Sequence, residues 1–331
     1  MNQKTDVLLV TATKFESQAV YEVFQGATSE PPQQVSIGGW IYHDIGIVNG
    51  KRVFLVQSEM GSAGQGASQQ TVRRGISDLS PTEVIMVGIA FGVNYRKQSI
   101  GDILVSQRLI LYEPQRVGRK DGNLQIIPRG ERPSASSRLL NCFRSVELGC
   151  DMSKFKVHFG PILSGEKLVD NPDFRQELQC LDPEAIGGEM EGFGLYVACQ
   201  ESKVDWIIVK SICDWADGNK ARGKDTRQRL AAKNAASFVL RMLQVPSIEI
   251  LQEESLMEKS RIQLIINDID LITGKVNQFL GEYEKNDPIH QYMRKQLEFH
   301  EYSSQSIELS STMHREYIEK ISPDIQDVLI R

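Results

Sequence analysis

The chain has 331 residues, 40% of them hydrophobic and 24% charged, with a formal net charge of −5. These proportions suit a soluble globular protein with one large domain and an appendage, or two modest domains. No apolar run reaches the roughly 18 residues of a membrane span, and the acidic balance gives no drive toward nucleic acid or an anionic membrane.

From the start of the chain, "MNQKTDVLLV" carries one lysine, then a short apolar run without a cleavage site, and reads as a first strand rather than a signal peptide. Strands are expected at 6–12, 52–58, 83–90, 102–107, 156–163 and 206–213. Several are nearly continuous apolar runs, as in strands buried on both faces. Helices are expected between and after them at 14–25, 64–78, 134–148, 173–180, 190–202 and 226–243. That alternation predicts an α/β domain: a central, mostly parallel mixed sheet flanked by helices, over residues 1–246. Five cysteines (142, 150, 180, 199 and 213) stand singly, which argues against a disulfide framework or a zinc site and for a reducing cytoplasm.

Beyond residue 246 the texture changes. Only Gly274 and Gly281 of the 26 glycines lie past residue 250, and that tail holds 15 acids against 9 bases. Ile262, Ile265, Ile269, Ile272, Val276, Phe279 and Tyr283 step by three and four, a heptad seam of about three turns of the repeat. "EKNDP" (284–288) breaks the helix at Pro288, and a second, less regular helix follows at 289–320. Residues 247–331 are therefore expected to form an α-helical hairpin. It either packs on its own α/β domain or pairs with a protein partner through 250–331.

Acids stand just beyond three of the strands or turns. "VKSICDWAD" (209–217) places Asp214 at the carboxyl end of a buried strand, where open α/β sheets bind ligands; a turn or helix cap is the structural alternative. "GGEMEGFGLYVAC" (187–199) sets Glu189 and Glu191 around Met190 where a strand becomes a helix. There a carboxylate also complements the helix dipole. Glu16 follows the first strand, in the first turn of a helix. Three such carboxylates suit hydrolysis through a cationic, sugar-like transition state, one donating to the leaving group and another activating water. The five histidines fall in no nucleophile motif, and no G-x-S-x-G elbow is present. "MGSAGQGAS" (60–68) either cradles an anion at a helix start or packs against a helix; it lacks the lysine of a P-loop.

In order from about Asp6 to Leu243, "VLLVTATKFES", "VQSEMGSAGQGAS", "MVGIAFGV", "IGDILVS", "GPILSGEKLVDN", "GGEMEGFGLYVAC" and "VKSICDWAD" resemble the purine nucleoside phosphorylase and nucleosidase superfamily. The closest match is to its methylthioadenosine/S-adenosylhomocysteine nucleosidases. The resemblance implies a purine (adenine) nucleosidase of nucleoside phosphorylase-like fold that needs no metal or redox cofactor. Asp214 would be the protonated acid that donates toward purine N7, keeping its proton through burial beside other carboxylates. Glu16 would be the general base on water. Glu191 would grip the ribose hydroxyls with Met190 against the sugar, and Glu189 would orient the turn. Val169, Leu168, Ala90 and Phe91 would surround the base.

Phosphorylases of this superfamily carry glycine and arginine after the first strand, whereas this chain reads "TATKFE", which favours hydrolysis. Phosphorolysis and a catalytically inactive nucleoside-binding scaffold are the alternatives. The chain departs from the nucleosidases at Ile89-Ala90-Phe91-Gly92, where they read S-A-G-G. It departs again at Leu168, in place of a stacking aromatic, and at Trp215 after the acid. "DGNKARGKDTR" (217–227) is either a solvated basic loop or a phosphate contact for AMP or ATP through Lys220 and Arg222. The resemblance further implies a homo-oligomer. With the helical tail it also resembles nucleosidase domains fused to signalling or defence modules, which makes a nucleotide-depleting effector one expectation.

Overall fold

The computed structural model describes residues 5–28, 31–120, 123–149, 154–221 and 223–245, with 261–265, 267 and 271. The chain divides into two compact units, residues 1–246 and 247–331. The second is described only at 261–265, 267 and 271, where the backbone is helical. Most of the heptad seam, the break at 284–288 and the helix at 289–320 lie outside the described residues. Among the described residues no helix is long and apolar enough to cross a membrane.

The first unit runs β1 (Val7–Thr11), α1 (Lys14–Gln25), β2 (Gln33–Ile37), β3 (Trp40–Val48), β4 (Lys51–Gln57) and α2 (Ser68–Leu79). It continues with β5 (Glu83–Gly92), β6 (Ile103–Leu111), β7 (Gln115–Lys120), β8 (Asn123–Pro128), α3 (Ser137–Gly149) and β9 (Val157–Ser164). The last elements are α4 (Pro172–Leu181), β10 (Gly187–Glu189), α5 (Gly192–Ser202), β11 (Asp205–Asp214) and α6 (Lys224–Leu243). Every strand and helix expected from the apolar pattern of this unit is present, with ends shifted by a few residues. The helix expected from 64 starts at Ser68, because Gly61, Gly64 and Gly66 all take positive φ and make a loop of residues 60–66.

Nine strands form one sheet in the order β10-β9-β6-β11-β5-β1-β4-β3-β2, and β10 also pairs back onto β5. The β4-β1-β5-β11 core is parallel, whereas β6 meets β11, and β3 meets β4, antiparallel. The β10–β5 pairing closes β5, β11, β6, β9 and β10 into a ring. Closure depends on two glycines: Gly187 stands opposite Gly92 and Gly188 opposite Phe91. A methyl on Gly187 would strike Leu104 and the Phe91 carbonyl, and one on Gly188 would enter the Phe91 ring. "GG" in "GGEMEG" is thus a demand of close strand approach.

The central strands are buried along their length, including all of β1 and nearly all of β5 and β11, which accounts for their unbroken apolar runs. Helix α1 packs against α6 and α2 against α5. Ala231, Ala232, Ala235 and Ala236 are buried in α6, small enough to bring that helix close to the sheet, and Phe238 lies between Phe143 and Phe155. The net effect is a rigid frame that gathers the carboxyl ends of β1, β5, β10 and β11.

Candidate active site

Those strand ends border a cleft of about 570 Å³, counting its open mouth. Asp214, Glu16, Glu191, Met190, Glu189, Val169, Leu168, Ala90, Phe91 and Lys220 all line it. Arg222 lies outside the described residues. Residues from five separate stretches of chain are therefore brought to one place, and each acid has a distinct local setting.

Glu16 is the third helical residue of α1, in a capping box with Thr13. One carboxylate oxygen, Oε2, accepts from the backbone N–H of Ala12 at 2.8 Å and of Thr13 at 2.7 Å. Its Oε1 accepts from the N–H of Ile89 at 2.8 Å. Gly88 leaves the room: a methyl there would overlap Oε1. Helix capping and a place in the cleft lining are thus combined in one side chain. Each carboxylate oxygen has two lone pairs, so Oε1 retains accepting capacity beyond the Ile89 N–H.

Glu189 and Glu191 divide their work. The Glu189 carboxylate accepts from the N–H groups of Glu191 (2.9 Å) and Gly192 (2.8 Å), satisfying two open donors at the start of α5. Glu191 makes no side-chain cap bond. Its Oε2 accepts from Lys210 at 3.0 Å and its Oε1 from the Gly61 N–H at 3.3 Å. Ser62 and Ser68 hydroxyls hold the carbonyls of Met190 (3.0 Å) and Glu191 (2.6 Å). The glycine-rich loop therefore packs on the start of α5, and carboxylates of the chain itself take the N–H groups of Gly61 and Ser62. Glu166 accepts from Ser62 at 3.1 and 3.2 Å.

Lys210, absent from the sequence-derived site, is the hub behind it. Its ammonium is fully buried and lies 3.0 Å from Glu191, 3.9 Å from Glu16 and 4.0 Å from Glu189. Burial alone would favour the neutral amine, but the fields of Glu191, Glu16 and Glu189 reverse this and raise the lysine pKa. Three carboxylates around one cation leave excess negative charge. Burial chiefly, opposed by Lys210 and reinforced by Glu191, pushes the Glu189 pKa up to about 7. Its Oε1 is buried without a hydrogen-bond partner. The signal in the sequence was a lysine inside the otherwise apolar run "WIIVKSIC".

Asp214 ends β11 after a register shift. Its Oδ1 accepts from the Ala216 N–H at 3.0 Å, an Asx-type turn, while Oδ2 accepts from the Cys213 thiol at 3.2 Å. Burial first, then the neighbouring Asp214, raises the pKa of Cys213, so the thiol stays a donor. Asp214 is buried and shares the cleft with Glu16, Glu189 and Glu191. It also has a cationic partner, Lys220, with Nζ 3.4 Å from Oδ2. The Trp215 ring, a departure directly after the acid, covers Gly92, where a methyl would meet it at 2.5 Å.

Residues 6–244 match the family described as Phosphorylase superfamily. A Death domain-containing ATP nucleosidase from Amphimedon queenslandica is 30% identical over 257 residues, covering 71% of this chain and 48% of that protein. ATP nucleosidase Cap17 from Escherichia coli is 28% identical over 246 residues, covering 65% of this chain and 46% of that protein. The chain thus matches about half the length of these curated relatives. Among solved structures, a 5'-methylthioadenosine/S-adenosylhomocysteine nucleosidase from Neisseria meningitidis, in complex with methylthio-immucillin-A, superposes with a TM-score of 0.61 at 21% identity. It covers 72% of this chain and 99% of that one, a likeness of fold.

Proposed function

The chain belongs to the Phosphorylase superfamily, and on that premise we propose that its first unit is an adenine nucleosidase hydrolysing the N-glycosidic bond of adenosine-type nucleotides. The observation that carries hydrolysis over phosphorolysis is the placement of Glu16. Its carboxylate takes the N–H groups of Ala12, Thr13 and Ile89 at the ends of β1 and β5. A phosphate nucleophile would need donors of that kind and would meet a negative charge there instead. A water molecule meets an acceptor.

In this reading the bond between N9 and C1′ breaks with its electron pair going to the base. Asp214 gives its proton to purine N7, and Glu16 takes one from the water that attacks C1′. Each such transfer contributes about 10²–10⁴-fold. Glu191 receives the ribose hydroxyls, with Met190 against the sugar, while Glu189 fixes the turn. Val169, Ala90 and Phe91 form the walls around the base, with Leu168 at the mouth.

The names of the two relatives and the presence of Lys220 in the cleft support a polyphosphate nucleotide as substrate, with Lys220 and Arg222 as its phosphate contacts. A second reading, an uncharged 5′-thioether nucleoside, is favoured by Met60 and Leu168, which line the cleft yet are 58% and 61% exposed. We place the protein in a reducing compartment such as the cytoplasm, as a homo-oligomer whose residues 250–331 meet a partner in a nucleotide-depleting effector. Adenine release measured on methylthioadenosine, adenosine, AMP and ATP tests the substrate. The expected order has ATP fastest by at least about tenfold in kcat/KM; activity confined to the uncharged nucleosides would remove the polyphosphate reading.

A further inference from the structure

The pairing of Lys220 with Asp214 has the wrong polarity for the chemistry proposed. An acid that must hand a proton to N7 stands 3.4 Å from an ammonium, which is the partner of a carboxylate and not of a carboxylic acid. The pair is not a loose surface contact. The Asp214 side chain is only 5% exposed and that of Lys220 19%, so solvent screens it little.

The loop that carries Lys220 is also built to hold it there. Arg227 of α6 donates to the carbonyls of Lys220 at 3.0 Å and Asn219 at 3.3 Å. The Gly218 N–H donates to Asp170 and the Asn219 N–H to Asp217, at 3.0 and 3.1 Å. The other described lysine lining the cleft, Lys167, is engaged by Glu113.

Resting on the reading of Asp214 as the acid, we infer that Lys220 is a substrate-operated latch that selects for anionic nucleotides at the chemical step. In the free protein its ammonium stays paired with the Asp214 carboxyl group, 3.4 Å from Oδ2. The lysine has a flexible four-carbon stem, so the phosphates of a bound nucleotide can draw the ammonium away while its backbone stays clamped. Asp214 then takes one proton from solvent and passes it to N7; Lys220 remains an ammonium throughout, now paired with phosphate. A neutral nucleoside offers no such counter-charge and leaves the latch closed. Lys220 thus acts on N7 protonation through Asp214, as a specificity-determining residue. A simple phosphate-binding lysine would give affinity for nucleotides and have no effect on neutral substrates.

The test is adenine release from adenosine and from ATP by the full-length protein and by Lys220→Met and Asp214→Asn. Lys220→Met is expected to raise kcat on adenosine by about tenfold while lowering kcat/KM on ATP. An unchanged or lower adenosine rate in Lys220→Met would overturn the latch. If the methionine variant does not fold, Lys220→Gln gives the same reading with the same outcomes. The two layers fail separately: full activity in Asp214→Asn removes the acid itself, whatever Lys220 does.

Discussion

Replacing Lys210 with methionine is expected to destabilise the first unit by about 3–5 kcal/mol and to abolish adenine release. The reason is the asymmetry of buried charge: taking away one partner leaves the others uncompensated where water cannot reach them. Here the ammonium is the common neighbour of three buried carboxylates, Glu16, Glu189 and Glu191. Without it they repel one another, and Glu191 also loses the hydrogen bond that fixes its Oε2. The deficit should shrink as pH falls toward 5, because added protons relieve the same repulsion. Urea unfolding followed by tryptophan fluorescence measures this well, since Trp40, Trp206 and Trp215 all lie in the first unit. A loss below about 1 kcal/mol at pH 7.5 would mean the cluster is already neutralised by protons, and the hub account would be wrong.

Asp214→Asn should separate the two effects, removing activity and sparing the fold. Asparagine keeps an acceptor for the Ala216 N–H, so the turn that positions residue 214 survives. What disappears is the titratable proton for N7, and the expected fall in kcat is about 10²–10⁴-fold, with the melting temperature within a few degrees of wild type. Retained turnover in a folded variant would transfer the acid role elsewhere, and the catalytic assignment would collapse with it.

Much of this architecture is legible in the sequence because burial on both faces leaves a clear mark. Runs such as "DVLLVTA" and "EVIMVGIA" match β1 and β5 since their residues have no solvent side. The hairpin of β2 and β3 left a weaker trace. Its strands are half exposed, and Gly38 and Gly39, both at positive φ, make the turn. Strand β10 has three residues and exists through pairing with β9 and β5, a tertiary event that no local pattern records.

The site shows the same divide. Asp214, Glu16 and Glu191 could be picked out because each stands at an element end near the carboxyl side of the sheet, although Glu16 also caps α1 and Asp214 also closes a turn. Lys210 was hidden in an apolar strand, and its three partners come from distant turns. The division between Glu189 and Glu191 needed geometry as well. Both sit at one helix start, but only Glu189 accepts from the helix N–H groups there. Lys220 was visible as a basic residue of a loop, whereas its pairing with Asp214 rests on the turn that folds the loop back over the strand end.

The central claim, water as the acceptor of the ribosyl group at a site where Glu16 excludes phosphate, is tested most directly by identifying the product. Adenine release from ATP is followed in phosphate-free buffer and again with added inorganic phosphate, and the ribosyl product is identified by mass spectrometry. The account predicts equal rates in both buffers and a product carrying hydroxyl at C1 with its 5′ phosphates intact. Release that begins only when phosphate is added, with a phosphate ester at C1, would contradict it.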